Sequence, residues 1–227
     1  VYSVNIILNV NGVNINMKYH HGNLREELIR CASNLCHQYG YEKLSLRSIA
    51  KEANVSQTAP YRHFETKESL LAAVATNGFI EMEESINKII DFSKSKTISE
   101  KTLIKGMMTY LNFAEKNNNI YEIMFGTVIK DFETYPELHQ AAMRCYGTLK
   151  RSLRGYVTLK DNNEYNRKCI KVWAFLHGLV GLNKIEQKLE GKELNVSTED
   201  NAISALRSAK SNLNTFMTTA INGLIKN

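Results

Sequence analysis

Leu46-Arg47-Ser48-Ile49-Ala50-Lys51-Glu52-Ala53-Asn54-Val55-Ser56-Gln57-Thr58-Ala59-Pro60-Tyr61-Arg62-His63-Phe64 decides how the chain is read. It reads as two short helices with a tight break between them. Ser45 caps the first helix, whose apolar side is Leu46, Ile49, Ala50 and Ala53. Asn54 sits at the break, where tolerance of left-handed dihedrals suits a helix end, and Val55 plugs the corner. Ser56 caps the second helix, and Pro60 falls in its first turn, where a missing N–H costs little. This second helix is too polar and too short to exist for core packing alone. Ala59 and Phe64 face inward, leaving Gln57, Thr58, Tyr61, Arg62 and His63 outside. Amide, hydroxyl and cationic groups reach base edges and phosphates in a major groove, so the pair predicts a helix-turn-helix DNA-reading head.

The flanking composition fits that reading. The chain has 227 residues, 43% hydrophobic, enough for a core in one or two domains. Only two prolines, with much Leu, Ala, Lys, Glu and Asn, point to an all-α protein. The formal charge is +6. From Met17 to Lys67 eight Lys and Arg face five Glu and no Asp, which places half of that excess in under a quarter of the length. Cys31, Cys36, Cys145 and Cys169 form no CxxC pair, so they are expected as buried, reduced thiols rather than a metal or redox site. No stretch of 18 apolar residues is present, so no membrane span is expected. Residues 1–16 carry no charge and lack the basic start and small-residue cleavage site of a signal peptide. They are expected to be an extension outside the domain: disordered, packed as an extended arm, or derived from upstream of the natural start.

Along the chain, about nine helices are expected and no convincing strand. Asn23 caps the first, Leu24 to Tyr39, which Gly40 ends. Thr66 caps a long helix from Lys67 to about Phe92. Ser99 caps the next, to about Lys116. A short apolar helix follows from Ile120 to about Ile129, then one from Pro136 to about Val157 and one from Tyr165 to about Leu189. Ser197 to Asp200 caps a last helix running to about Leu224. Domains are expected at 17–66 for DNA reading and 67–227 for regulation and dimerisation. The penultimate helix is apolar on more than one side (Ile170, Trp173, Leu176, Leu179, Val180, Leu182) and needs more cover than one small domain supplies.

The run LRSIAKEANVSQTAPYRHFETKESLL resembles the DNA-binding signature of the tetracycline-repressor (TetR) family of bacterial transcriptional regulators, over about His20 to Ala73 without a gap. Trp173, His177 and Gly178 are similar to the Trp-x-x-x-His-Gly motif of one branch of that family. The resemblance implies Arg47, Gln57, Thr58 and Tyr61 at bases or nearby sugar-phosphate, with His63 and Lys67 at phosphate; Arg62, which varies within such families, is counted with them as DNA-binding. It also implies a homodimer through the last two helices, reading a palindromic double-stranded DNA operator. A cavity for an unknown small, largely apolar inducer is implied as well. The side chains available to line it are Met107, Tyr110, Tyr121, Met124, Phe125, Tyr146, Trp173 and His177, each of which could equally be core packing.

The expected function is therefore a sequence-specific transcriptional regulator, a repressor, in the bacterial cytoplasm, with no cofactor. No nucleophile elbow, HExxH metal spacing or phosphate loop argues for an enzyme. The alternative is a helical partner-binding or sensor protein that does not bind DNA.

Overall fold

The computed structural model describes residues 4–10, 13–19, 24–91, 97–157, 161–189 and 202–226. Two strands, β1 (Val4–Val10) and β2 (Val13–Tyr19), pair antiparallel from Val4 opposite Tyr19 to Val10 opposite Val13. This departs from the expected absence of strands. Alternation of Val, Ile and Leu with Asn has the period of two that a strand needs, and Asn11-Gly12 is a strong short-range hairpin signal. From Leu24 onward every regular element among the described residues is helical.

Nine α-helices are described: α1 (Leu24–Tyr39), α2 (Leu46–Glu52), α3 (Lys67–Ile89), α4 (Glu100–Lys116), α5 (Asn118–Phe125), α6 (Pro136–Tyr156), α7 (Asn162–Leu189), α8 (Ala202–Ser211) and α9 (Leu213–Ile225). The number matches expectation only because two departures offset each other. The reading helix is a 3-10 turn over Ala59–Arg62, and the expected last helix is broken in two at Asn212. Asn212 stops α8 and accepts from the Thr215 N–H to cap α9. Asn23 and the Ser197–Asp200 cap lie outside the described residues.

Contacts divide the chain into two compact units, Val1–Ala75 with Asn119–Leu138, and Thr76–Asn118 with His139–Asn227. The first unit therefore holds the reading head together with α5 and residues 126–135. Its centre is formed by Leu28, Ile29, Ala32, Ile49, Ala50, Phe64, Leu70, Ile123 and Met124. Gly40, at φ 78, ends α1 in a backbone conformation that side chains resist. The Asn119 amide donates to the Cys36 carbonyl at 2.8 Å, a second bond to an oxygen that already accepts from the Gly40 N–H at the end of α1.

In the second unit α4 and α7 pack together, with α8 and α9 against α7. Leu103, Ile104, Met107, Tyr110, Leu111 and Ala114 of α4 recur at helical spacing and are buried. Gly106 lets the end of α3 approach: a Cβ there would lie 2.6 Å from Ile90 Cδ1. The end of α9 is pinned by polar groups. Lys168, 8% exposed, donates to the Ile225 carbonyl and pairs with Glu164, while the Tyr156 hydroxyl reaches Glu100 and Asn222.

The expected caps at Ser45, Thr66 and Ser99 are present. Ser45 and Ser48 cap each other reciprocally, each side chain taking the other's backbone N–H. Replacing Ser45 with Ala is expected to cost about 1 kcal/mol, read as a lower urea midpoint at unchanged slope.

Candidate nucleic-acid interface

The reading surface follows from how α2 ends. Ala53 is its C-cap and Asn54 has φ 53, the single non-glycine residue with positive φ among those described, as its place at the break predicts. The Val55 N–H returns to the Ala50 carbonyl, closing the corner. The chain does not then begin an α-helix at Ser56. Ser56 Oγ lies 3.2 Å from Thr58 Oγ1, the cap position falls on Thr58 without a side-chain cap bond, and Ala59–Arg62 winds as a 3-10 turn. Pro60 has no N–H for an α-helical ladder, and its carbonyl accepts from both His63 and Phe64, which tightens the end.

Pro60 in that turn and Phe64 just beyond it are buried, while the polar residues around them face solvent. Arg25 lies over the Phe64 ring at 5.6 Å and pairs with Glu137 at 3.1 Å. Gln57, Thr58, Tyr61, Arg62 and His63 are exposed, Tyr61 by 53%, and Arg47 is exposed on α2. Arg47 and Arg62 make no ion pair or hydrogen bond with any described residue. Lys43 and Lys51 are exposed and equally unpaired. Neither lysine was singled out in the sequence, where the signal was the regional charge excess. Lys67 differs from the rest: it is half-buried and its Nζ donates to the Glu42 carbonyl at 3.0 Å, bracing the turn before α2 against α3.

The eight residues offered for an inducer cavity do not form one group. Tyr121, Met124 and Phe125 fall in the first unit, where the Tyr121 and Phe125 rings meet tilted, with centroids 4.7 Å apart, and Met124 is fully buried. Met107, Tyr110, Tyr146, Trp173 and His177 fall in the second. There Tyr146, Trp173, His177 and Tyr110 form a chain of ring contacts at 5.6, 4.8 and 5.9 Å, and Met107 is core. Tyr110 Oη lies 3.3 Å from His177 Nε2.

Burial holds the His177 imidazole well below its usual range, at about 4. Unfolded, it titrates near 6.5, so between those values the unfolded chain binds the extra proton. Stability is full above about pH 6.5 and falls as pH drops toward 4. The gap corresponds to about 3 kcal/mol at most, and partial solvent access reduces it to about 2. Wild type is expected to lose that much more than His177→Gln between about pH 7.5 and about pH 4.5 in urea titrations.

On α7, Ile170 is 50% exposed, Leu182 36% and Ile185 49%. Ala174, Gly178 and Gly181 lie between them at helical spacing and are also exposed. A Cβ on either glycine would meet nothing within 4 Å, so the chain's own packing does not account for them.

Residues 28–74 match the profile of the bacterial regulatory proteins of the tetR family, and residues 103–190 match the tetracyclin repressor-like C-terminal domain. This chain belongs to the TetR family. It is 33% identical over 110 residues to the nucleoid occlusion factor SlmA of Vibrio cholerae serotype O1, covering 46% of this chain and 52% of that protein. The TetR-family chain thus spans about half the length of the curated relatives it matches. A Rhodococcus sp. RHA1 protein of unknown function superposes with a TM-score of 0.66 at 23% identity, over 91% of this chain and 98% of that one. A TetR variant from Acinetobacter baumannii AYE, solved in complex with minocycline, gives 0.55 at 19% identity over 92% and 98%. At those identities the likeness is one of fold. No helix among the described residues is long and apolar enough to cross a membrane.

Proposed function

We propose that this TetR-family chain is a cytoplasmic transcriptional repressor that binds a palindromic operator as a homodimer and is released by a small, largely apolar ligand. The observation that carries the reading is the exposed polar set Arg47, Gln57, Thr58, Tyr61, Arg62 and His63, of which only the Thr58 side chain has a partner, the neighbouring Ser56 hydroxyl. Groups that need no partner within the protein are free to meet phosphates and base edges. Residues 17–66 serve as the reading domain and 67–227 as the regulatory one. Dimerisation uses the open α7 stripe with α8 and α9, because one head reads few bases and two held roughly 34–36 Å apart read a palindrome. The ligand takes the Tyr110, Tyr146, Trp173 and His177 cluster and must bind the two DNA-affinity states unequally.

The test is fluorescence anisotropy with duplexes tiling the chain's own upstream region. One duplex is expected to bind far more tightly than the rest, with affinity falling steeply with salt. Uniform weak binding to every duplex would sink the regulator reading. The name of the Vibrio relative favours a second one, in which the same head serves nucleoid occlusion. Tight sites scattered over the genome, with none upstream, would favour that.

Lys67→Ala is expected to weaken binding to every duplex and to lower the log–log salt slope by about 0.9, one phosphate contact. A loss with unchanged slope would assign Lys67 to bracing the Glu42 carbonyl alone.

A further inference from the structure

The reading turn is too short to hold its own direction. Ala59–Arg62 is a single 3-10 turn, closed where the His63 and Phe64 N–H groups both donate to the Pro60 carbonyl. So small an element takes its aim from whatever grips its buried neighbours. Those are Pro60 and Phe64, the latter only 3% exposed.

One side chain from outside the helix-turn-helix pair grips Phe64. Arg25, in the first turn of α1, sets its guanidinium 5.6 Å from the centroid of that ring. Two carboxylates hold it there: Glu26, its neighbour in α1, at 3.3 Å, and Glu137, 112 positions later in the first turn of α6, at 3.1 Å. A guanidinium can give its edge to a carboxylate and its face to an aromatic ring at once. The stretch leading into α6 takes a second hold close by. The Lys130 N–H donates to Glu68 in the first turn of α3, two residues past the Thr66 cap. Residues 130–137 thus hold the chain on the way out of the reading turn, and all of them lie in the first unit with it. The side chains of Arg25 and Glu137 are 40% and 74% exposed, so their pairing adds little to the stability of the fold. What it supplies is orientation.

The geometry points to Arg25 as a positioning residue of the reading turn, fixed by Glu137, so that the first turn of α6 sets how Tyr61, Arg62 and His63 are presented to DNA. The consequence for DNA rests on the regulator reading. α6 starts in the first unit and continues into the second, where its Tyr146 meets Trp173, so a ligand at that aromatic cluster would press on the helix that carries Glu137.

The test compares Glu137→Gln, Arg25→Met and the double variant with wild type, all as the full chain. Without DNA, hydrogen exchange read by NMR at the His63 and Phe64 amides is expected to speed up at least about threefold in each variant, with the amides of α2 unchanged. Unchanged exchange at both amides overturns the positioning role, and so does a uniform rise that includes α2. With DNA, Glu137→Gln is expected to bind the tight upstream duplex at least about threefold more weakly at an unchanged salt slope. The double variant should bind no more weakly than Arg25→Met alone, because the carboxylate acts through the arginine; fully additive losses overturn the relay. If Arg25 met a phosphate instead, Glu137→Gln would free it. Binding would then tighten and the salt slope rise by about 0.9, which also overturns the proposal. The exchange arm contains no DNA, so a loosened turn in a chain with no tight duplex would end the regulator reading and leave the positioning role standing.

Discussion

Arg47→Ala combined with Arg62→Ala is expected to weaken operator binding by roughly 30- to 1,000-fold and to leave thermal stability where it is. The two halves of that expectation have one cause. Both guanidinium groups are exposed and neither is paired within the chain, so removing them breaks nothing that holds the fold. Surface changes of that kind stay within about 0.5 kcal/mol. At the DNA, an arginine is worth about 1–3 kcal/mol of discrimination where it is bidentate to guanine, and about 0.9 of salt slope where it neutralises a phosphate. Two of them together correspond to about 2–4 kcal/mol, with each 1.4 kcal/mol counting tenfold. The measurement is anisotropy at several salt concentrations, beside thermal melts of the same samples. A melting temperature that falls while operator affinity holds would reverse the assignment, making the arginines structural.

The second large effect concerns the α7 stripe. Ile170→Glu with Ile185→Glu is expected to turn the proposed dimer into a monomer, raising its dissociation constant by at least about 1,000-fold. In the isolated chain both side chains are about half exposed, so a carboxylate there reaches water and the protomer keeps its fold. Across a two-fold axis each substitution appears twice, so four carboxylates enter one seam, each desolvated without a partner at several kcal/mol. Operator affinity should fall with it, since two heads no longer arrive together. Sedimentation equilibrium decides: a variant that remains dimeric places the subunit contact elsewhere, and the small residues Ala174, Gly178 and Gly181 would need another explanation.

Where the sequence could be read, the signal was local. The ends of α1, α2 and α4 follow from Gly40, Asn54 and Ser99, residues whose own backbone or side-chain chemistry sets a boundary. The reading residues were legible because they were polar where a core-facing helix would be apolar. The shape of their segment was not. Ser56 and Pro60 satisfy the rules for an α-helix start, yet the residues between Pro60 and Phe64 are too few to form a second turn, and a 3-10 turn takes their place. The break at Asn212 is not legible in the sequence, because one asparagine within a helical pattern carries little weight until its side chain is seen accepting from the Thr215 N–H. The grouping of α5 with the reading head lay beyond pattern reading altogether. It depends on bonds such as Asn119 to Cys36, 83 positions apart, which periodicity does not encode. For the same reason, eight aromatic and methionine positions looked like one lining and divide between two units.

The four thiols offer a practical use. Cys31 and Cys36 lie in the first unit, Cys145 and Cys169 in the second, and all four are free and buried. Loss of water pushes Cys36 and Cys145 to about 12, so in the closed state little thiolate is available to an alkylating reagent. Each pair is thus a chemical stopwatch already wired into its own half of the molecule. Iodoacetamide labelling followed by peptide mass mapping would time the breathing of the two halves separately, with no probe engineered in and no isotope exchange required.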